Sequence, residues 1–252
     1  MTTQAMAPQH AAAAPFPLLR YYGGKILENP KFVLLYAGDF WSTRQGASHQ
    51  AKLDRCSAAV PSGDHPTVWG ECGVSPGEFK GSARFPLSKP RPVVTARDIR
   101  TMVASAIKQS GVAAPDGETV YTVFLPPKVA VIDGYADSRS GMGGYQGSFR
   151  DERTGKKVYY AAIAYTDKGN GVRCTSSSVD NISIAASHEW TEAVTDLDVN
   201  AGKLGWYNKR FGEVGDIPIN LGYPLSQLWG RVDGCAVQKE WSNALGEPVL
   251  TE

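Results

Sequence analysis

Apolar residues recur along the chain in runs whose spacing predicts the main strands. Residues 31–41 form an apolar run rich in β-branched and aromatic side chains, which predicts a buried strand early in the chain. Residues 118–125 alternate in polarity and end at a pair of prolines, and residues 157–165 form a further apolar run, so both are predicted strands. Residues 129–132 are a candidate extension of the strand at 118–125.

Two segments have the apolar spacing of helices. Between residues 96 and 109 the apolar positions fall three and four residues apart, with Thr95 as the N-cap and Gly111 as the stop signal. This spacing predicts an amphipathic helix. Residues 181–195 are predicted to form a second helix, and because its apolar residues surround most of the circumference, it should be deeply buried.

The remaining segments are rich in Gly, Pro, Ser or Ala and predict irregular structure. We expect a flexible arm at 1–20, a long loop or insertion at 45–92, and a flexible Gly-rich rim at 134–148. Strands that alternate with helices favour an α+β (mixed α/β) fold. The sequence therefore predicts one domain over 21–252, with a central sheet and the buried helix against it.

Composition excludes two classes of partner. With 26 basic and 25 acidic residues the chain has no charge excess to bind nucleic acid. No apolar run approaches the roughly 20 residues that span a bilayer. Residues 1–17 lack a charged segment followed by an apolar one, so they do not resemble a secretory signal.

The four cysteines favour an oxidising compartment. Cys56 and Cys72 are close in sequence, so we expect a 56–72 disulfide, which leaves Cys174 and Cys235 as the second pair. This predicts a secreted or periplasmic protein. The alternative is four free, buried thiols.

The candidate chemistry lies on the second helix. His188 and Glu192 are four residues apart and share a face, Asp196 lies one turn further, and Glu189 is rotated by about 100°. Buried carboxylates are costly unless they are paired or bind a metal. An imidazole and carboxylates that hold a divalent ion, with a free carboxylate as general base, are the parts of a zinc hydrolase.

The motif His-Glu-x-x-Glu-Ala-Val-Thr-Asp, followed by Gly-Glu-Val-Gly-Asp at 212–216, resembles the active site of thermolysin-like metallopeptidases (gluzincins). That resemblance implies a zincin-like domain in which His188, Glu192 and Glu213 bind the metal and Glu189 is the general base. It also implies that Asp196 and Asp216 orient the ligands. The chain departs from the family at Glu192, where gluzincins have a second His.

The same motif, with residues 237–243, is also similar to bacterial proteins that carry Ser-His-Glu-x-x-Glu-Ala-x-Thr-Asp and are distantly similar to plant phosphate-induced (EXORDIUM-like) proteins. In that group Glu is usual at the second ligand position. Its members tend to carry a His near residues 147–148, and this chain departs from them there, with Gln at position 146.

The ligand set leaves the metal open between zinc and harder ions. One His and two Glu favour manganese or calcium more than two His and one Glu do, and zinc also accepts carboxylates. For the oxyanion donor the gluzincin resemblance favours Tyr207, with Tyr145 and Tyr223 as rivals. Residues 196–202 partly match a calcium loop, although a polar turn that ends the helix is the stronger interpretation.

These features predict a metal-dependent, most simply zinc-dependent, peptidase that acts on a peptide or protein substrate. In such an enzyme Glu189 would take a proton from metal-bound water. Two alternatives stay open: a non-catalytic metal-binding relative that acts as an extracellular binding protein, and a hydrolase of another ester or amide bond.

Overall fold

A mixed sheet lies at the centre of the molecule, and the motif helix packs on one of its faces. The computed structural model describes residues 18–61, 67–87, 92–109 and 111–250. In these residues the helices are α1 (Arg44–Ala59), α2 (Thr67–Glu71), α3 (Ala96–Gln109), α4 (Ser178–Thr195) and α5 (Asp216–Asn220). The strands are β1 (Arg20–Tyr21), β2 (Lys31–Ala37), β3 (Glu78–Phe85), β4 (Val93–Thr95), β5 (Thr119–Phe124), β6 (Ala130–Asp133), β7 (Ala136–Asp137), β8 (Gly144–Arg150), β9 (Lys157–Ile163), β10 (Trp206–Tyr207), β11 (Trp229–Val232), β12 (Cys235–Gln238), β13 (Glu240–Ser242) and β14 (Glu247–Val249).

Among the described residues, five strands form the central sheet in the order β3-β2-β5-β9-β8. The first four run parallel, and β8 pairs antiparallel with β9 along the edge. Because the core covers both faces, the central strands β5 and β9 are mainly apolar and are buried along almost their whole length, as is usual for parallel strands. The prediction of an α+β fold is confirmed.

Side chains of β2 alternate between two cores, one on each face of the sheet. Phe32, Leu34 and Tyr36 pack in the core that includes α4, whereas Val33 and Leu35 pack in the core that includes α3. The sheet thus separates the α3 side of the molecule from the side that carries the motif helix.

Both predicted helices are confirmed. Helix α3 spans 96–109 as expected, and Thr95 and Asp98 form a reciprocal cap in which each backbone N–H donates to the other side chain. Helix α4 begins at Ser178, three residues earlier than predicted, because the Ser177 hydroxyl accepts a hydrogen bond from the Asp180 N–H at 3.3 Å.

Indole hydrogen bonds fix helix α4 against its neighbours. Trp190 Nε1 donates to Thr122 Oγ1 of β5 at 2.8 Å, and Trp69 Nε1 donates to Thr191 Oγ1 at 3.1 Å. All four residues are buried, so these bonds set the rotation of α4 about its axis. That rotation determines where its His and Glu side chains point.

The expectation of a loop over 45–92 is wrong, because α1, α2 and β3 lie in this segment. Helix α1 was not predicted because few of its residues are buried, among them Leu53 and Cys56. Its apolar residues therefore show no clear helical spacing. In the structure Thr43 caps this helix, because its Oγ1 accepts a hydrogen bond from the Gly46 N–H at 3.1 Å. Residues 62–66 and 88–91 of the predicted loop lie outside the described residues.

Three smaller expectations are also corrected. The segment 129–132 does not extend β5, since β6 pairs with β4 and β7 in a separate sheet. The Gly-rich rim at 134–148 contains β7 and much of β8, and β8 rather than β9 forms the sheet edge. Of the predicted arm, Leu19 is buried and β1 pairs with β10, while residues 1–17 lie outside the described residues.

The disulfide joins Cys56 to Cys235, so both predicted pairings are wrong. Helix α1 carries Cys56 to β12, where its Cα lies 5.5 Å from that of Cys235. Cys72 and Cys174 are free thiols. The prediction relied on the short sequence separation between Cys56 and Cys72, but Cys72 packs in the core that includes α4. No helix in the described part of the chain is long and apolar enough to cross a bilayer.

Removal of this disulfide should destabilise the fold strongly, because it closes a loop with a sequence separation of 179 residues. We expect the double variant Cys56→Ala/Cys235→Ala to lose about 2–5 kcal/mol of unfolding free energy in urea. Cys174→Ala, which removes a free thiol, is the control. An unfolding free energy that is the same for the double variant and the wild type would contradict this bridge.

Candidate metal centre

The first part of the candidate site is a cluster on one face of α4. His188 Nε2 lies 3.2 Å from Glu192 Oε1, as the four-residue spacing predicts. Ligand atoms of His188, Glu189 and Glu192 all lie within 4.8 Å of one another. The three side chains therefore converge closely enough to surround one ion.

The second part of the site comes from the Gly-Glu-Val-Gly-Asp segment. Ligand atoms of Glu192, Glu213 and Asp216 also lie within 4.8 Å of one another, so Glu192 belongs to both groups. The two glycines leave room for the close approach: a Cβ on Gly212 would lie 2.7 Å from Asp216 Oδ2, and one on Gly215 would lie 2.5 Å from His188 Nδ1.

Asp196 and Gln146 are neighbours of the Glu213 carboxylate. Asp196 ends α4 and is fully buried; its Oδ1 accepts from Gly205 N–H at 2.7 Å, and burial raises its pKa to about 6. Gln146 Nε2 donates to Glu213 Oε1 at 3.1 Å and to the Asp196 carbonyl oxygen at 3.4 Å. Gln146 thus holds Glu213 in place from the edge strand β8, a role that the sequence alone did not assign.

Glu240 is a further buried acid that sequence reasoning missed. It is 1% exposed, and Gln238 Nε2 lies 3.4 Å from its Oε2, while its Oε1 has no hydrogen-bond partner. A Cβ on Gly215 would lie 3.0 Å from Glu240 Oε2, so this carboxylate packs beside the same glycine as His188. The sequence carries little signal for its burial, because Gln238, Lys239 and Glu240 form a continuous polar stretch.

Buried negative charge dominates the electrostatics of the cluster. Burial, and then the neighbouring carboxylates, raise the pKa values of Glu189, Glu192, Glu213 and Glu240 well above the ordinary range. Burial lowers the pKa of His188. Among the described residues, no ion pair joins a lysine or arginine to any of these groups.

The cluster opens into a cavity of about 260 Å³. His188, Glu189 and Asp216 line it together with Gln238 and the free thiol of Cys174. Much of the remaining wall is apolar and consists of Met142, Val172, Ile184, Ala185, Ile219 and Leu225. A small ligand, or one side chain of a larger one, can therefore reach the polar groups through an apolar entrance.

The three candidate tyrosines occupy different surroundings. Tyr207 lies in β10, and burial and then the charges of Glu213 and Asp216 raise its pKa. Tyr145 packs against Tyr160 in the core on the α3 face of the sheet, opposite α4. Tyr223 lies exposed beyond α5.

The calcium-loop candidate and His49 have other partners. In the calcium-loop candidate at 196–202, Asp198 pairs with Lys157 and accepts from Ser148 Oγ at 3.0 Å, and Val199–Ala201 forms a 3₁₀ turn. This arrangement favours the polar turn. His49 Nδ1 bonds the Tyr165 hydroxyl at 3.0 Å. His10 and His65 lie outside the described residues.

No protein-family model, curated protein or solved structure gives a significant match to this chain. The chemistry of the site is therefore argued from its own residues. Those residues fit a divalent cation: Glu192 Oε1 and His188 Nδ1 are buried without hydrogen-bond partners, and Glu192 Oε1 still faces His188 Nε2. A shared ion satisfies both facing atoms and offsets the buried charge.

The raised carboxyl pKa values predict how the stability of the metal-free protein depends on pH. Above about pH 4.5 the unfolded chain loses protons that the folded chain keeps, so the unfolding free energy should fall as pH rises. The lowered pKa of His188 makes the unfolding free energy rise with pH below about pH 6.5. His188 is a single group, however, whereas several carboxyl groups have raised pKa values. We therefore expect lower stability in urea at about pH 8 than at about pH 5.5.

Added zinc should reverse this trend, because metal binding requires deprotonated ligands and so strengthens as pH rises. Glu240→Gln should flatten the pH dependence of the metal-free protein, whereas Glu152→Gln, at an exposed position, should leave it unchanged. A metal-free protein whose stability rises between about pH 5.5 and about pH 8 would contradict this electrostatic account.

Proposed function

We propose that the protein is a metal-dependent peptidase with a zincin-like active site on α4. The observation that carries the proposal is a buried His and carboxylate cluster that opens into a cavity and, within the described part of the chain, forms no ion pair with a lysine or arginine. In this proposal His188, Glu192 and Glu213 hold zinc, with manganese or calcium as the alternatives that a carboxylate-rich set favours.

The chemical roles of the side chains follow from their positions. Zinc, when bound, supplies Lewis acidity at the reacting carbonyl and water. Glu189 accepts the proton of the attacking water, and its pKa, raised by burial, suits it to pass that proton to the leaving amine. Tyr207 donates a hydrogen bond to the oxygen that gains negative charge, and Gln146 keeps Glu213 oriented.

The edge strand β8 supports a peptide or protein substrate. An extended chain can add to a sheet edge through backbone hydrogen bonds. β8 passes close to the proposed base, since a Cβ on Gly144 would lie 3.0 Å from Glu189 Cγ. Residues 141–144, which lead into β8, line the cavity, so a peptide bound along them would present a backbone carbonyl near Glu189, with one side chain in the apolar cavity. Further along β8 the Gln146 carbonyl oxygen already accepts from Asn200 Nδ2 at 2.9 Å.

The disulfide supports a secreted or periplasmic location for this activity. Cys56–Cys235 forms and persists in an oxidising compartment and would be reduced in most cytosols. A peptidase in such a compartment meets extracellular or cell-envelope proteins as substrates.

Glu189→Gln tests the proposed catalytic role. The variant should lower kcat for cleavage of a peptide library by about 100-fold or more, because the amide cannot accept a proton. It should still bind zinc, since the three proposed ligands are intact. Glu152→Gln, a surface change of the same chemistry, should keep full activity.

Two results would separate the proposal from its alternative. Unchanged hydrolysis by Glu189→Gln would overturn the mechanism. A wild-type protein that binds zinc but cleaves no member of the library would favour a non-catalytic metal-binding protein.

A further inference from the structure

Asp216 lies on the side of His188 where an ion would bind. The shortest approach between the two residues joins Asp216 Oδ1 to His188 Nε2 at 4.0 Å. The same nitrogen faces Glu192 Oε1 at 3.2 Å. A residue that only orients a metal-bound His contacts the other ring nitrogen, and here that nitrogen, Nδ1, has no hydrogen-bond partner.

The separations fit ligands of one ion. Two atoms bound at 2.0–2.1 Å to a tetrahedral zinc lie about 3.3 Å apart, and a larger or more highly coordinated ion allows more. The distance from Glu192 Oε1 to His188 Nε2 matches this separation. The distance from Asp216 Oδ1 to the same nitrogen is longer, by an amount that a small rotation of the Asp216 side chain removes. Asp216 also has a ligand atom within 4.8 Å of both Glu192 and Glu213.

The backbone around Asp216 is shaped for this carboxylate. Gly212 has a φ of 92°, which side-chain-bearing residues rarely adopt, and a Cβ there would meet Asp216 Oδ2 at 2.7 Å. Because residue 212 is a glycine, Asp216 Oδ2 can lie close to its backbone while Asp216 Oδ1 faces His188. Glu192 adds an independent sign of a ligand, because its buried Oε1 is unpartnered and directed to the same place.

We propose that Asp216 is a direct ligand of the metal, so that His188, Glu192, Glu213 and Asp216 form a set of one imidazole and three carboxylates. This inference rests on the proposed metal site and replaces the orienting role that the gluzincin resemblance implied for Asp216. Because Asp216 is 41% exposed and lines the cavity, it closes the solvent side of the site and leaves Glu189 free as the base.

An additional carboxylate changes which ion the site prefers. Oxygen ligands suit manganese and calcium, whereas imidazole and thiolate ligands favour zinc. Loss of the Asp216 carboxylate should therefore weaken manganese binding more than zinc binding. A residue that acts only through His188 would weaken both ions by a similar factor.

The test measures zinc and manganese dissociation constants by competition with a chelating dye, for the wild type, Asp216→Asn and the surface control Asp233→Asn. We expect Asp216→Asn to lose more than about 100-fold in manganese affinity, beyond the 10–100-fold typical of residues behind the ligands. Its loss for zinc should be smaller, and Asp233→Asn should match the wild type. Thermal unfolding of the metal-free variants checks the fold, and removal of one negative charge from the cluster should not destabilise it.

Two results would overturn the inference. The first is a loss below about tenfold, or an equal loss for both ions, in Asp216→Asn. The second is a wild-type protein that binds neither ion, which would also remove the metal site itself. If only the peptidase proposal is wrong, Asp216→Asn will still lose more manganese affinity than zinc affinity, but the wild-type protein will cleave no peptide.

Discussion

Uncompensated negative charge beneath the surface is the constraint on which the rest of this structure depends. Glu189, Glu192 and Glu240 are at most 4% exposed and Glu213 is 9% exposed, and within the described part of the chain the one ion-pair partner of these four is His188, next to Glu192. Carboxylates in such surroundings must take up protons or share a cation. A divalent ion stabilises the ionised cluster and provides reactive chemistry, whereas protonation stabilises the cluster without it.

The scaffold positions this cluster through interactions that lie outside it. The bonds from Trp190 to Thr122 and from Trp69 to Thr191 fix the rotation of α4 on the sheet. The turn that carries Glu213 and Asp216 packs against His188, since a Cβ on Gly215 would lie 2.5 Å from His188 Nδ1. Gln146 on β8 joins the sheet edge to Glu213, so the strand that could bind an extended peptide also supports a proposed ligand.

The sequence predicted those parts of the fold in which local pattern and burial agree. Helix α3 and helix α4 have strong apolar spacing and side-chain caps, β2 and β9 lie in mainly apolar runs, and β5 alternates in polarity. Helix α1 was not predicted because few of its residues are buried. The disulfide was predicted wrongly because Cys56 bonds to a cysteine on a strand that is distant in sequence. Neither feature leaves a local signal.

The same distinction holds for the site. His188 and Glu192 converge because their four-residue spacing puts them on one face of α4, with Glu189 next to that face, and the motif resemblance predicted Glu213 and Asp216. Glu240 and Gln146 come from strands distant in sequence, so only the tertiary fold brings them close to the cluster. The position of Asp216 relative to the two nitrogens of His188 is likewise a property of the folded turn and has no counterpart in the sequence.

The most direct test of this account is the metal content of the protein, purified without chelators or a His tag and measured by elemental analysis. The account predicts one bound divalent ion per chain that is lost in a His188→Ala variant, because His188 supplies the only imidazole of the described cluster. A wild-type protein without a bound ion, even after dialysis against zinc and manganese, would contradict it and leave a cluster of protonated carboxyl groups.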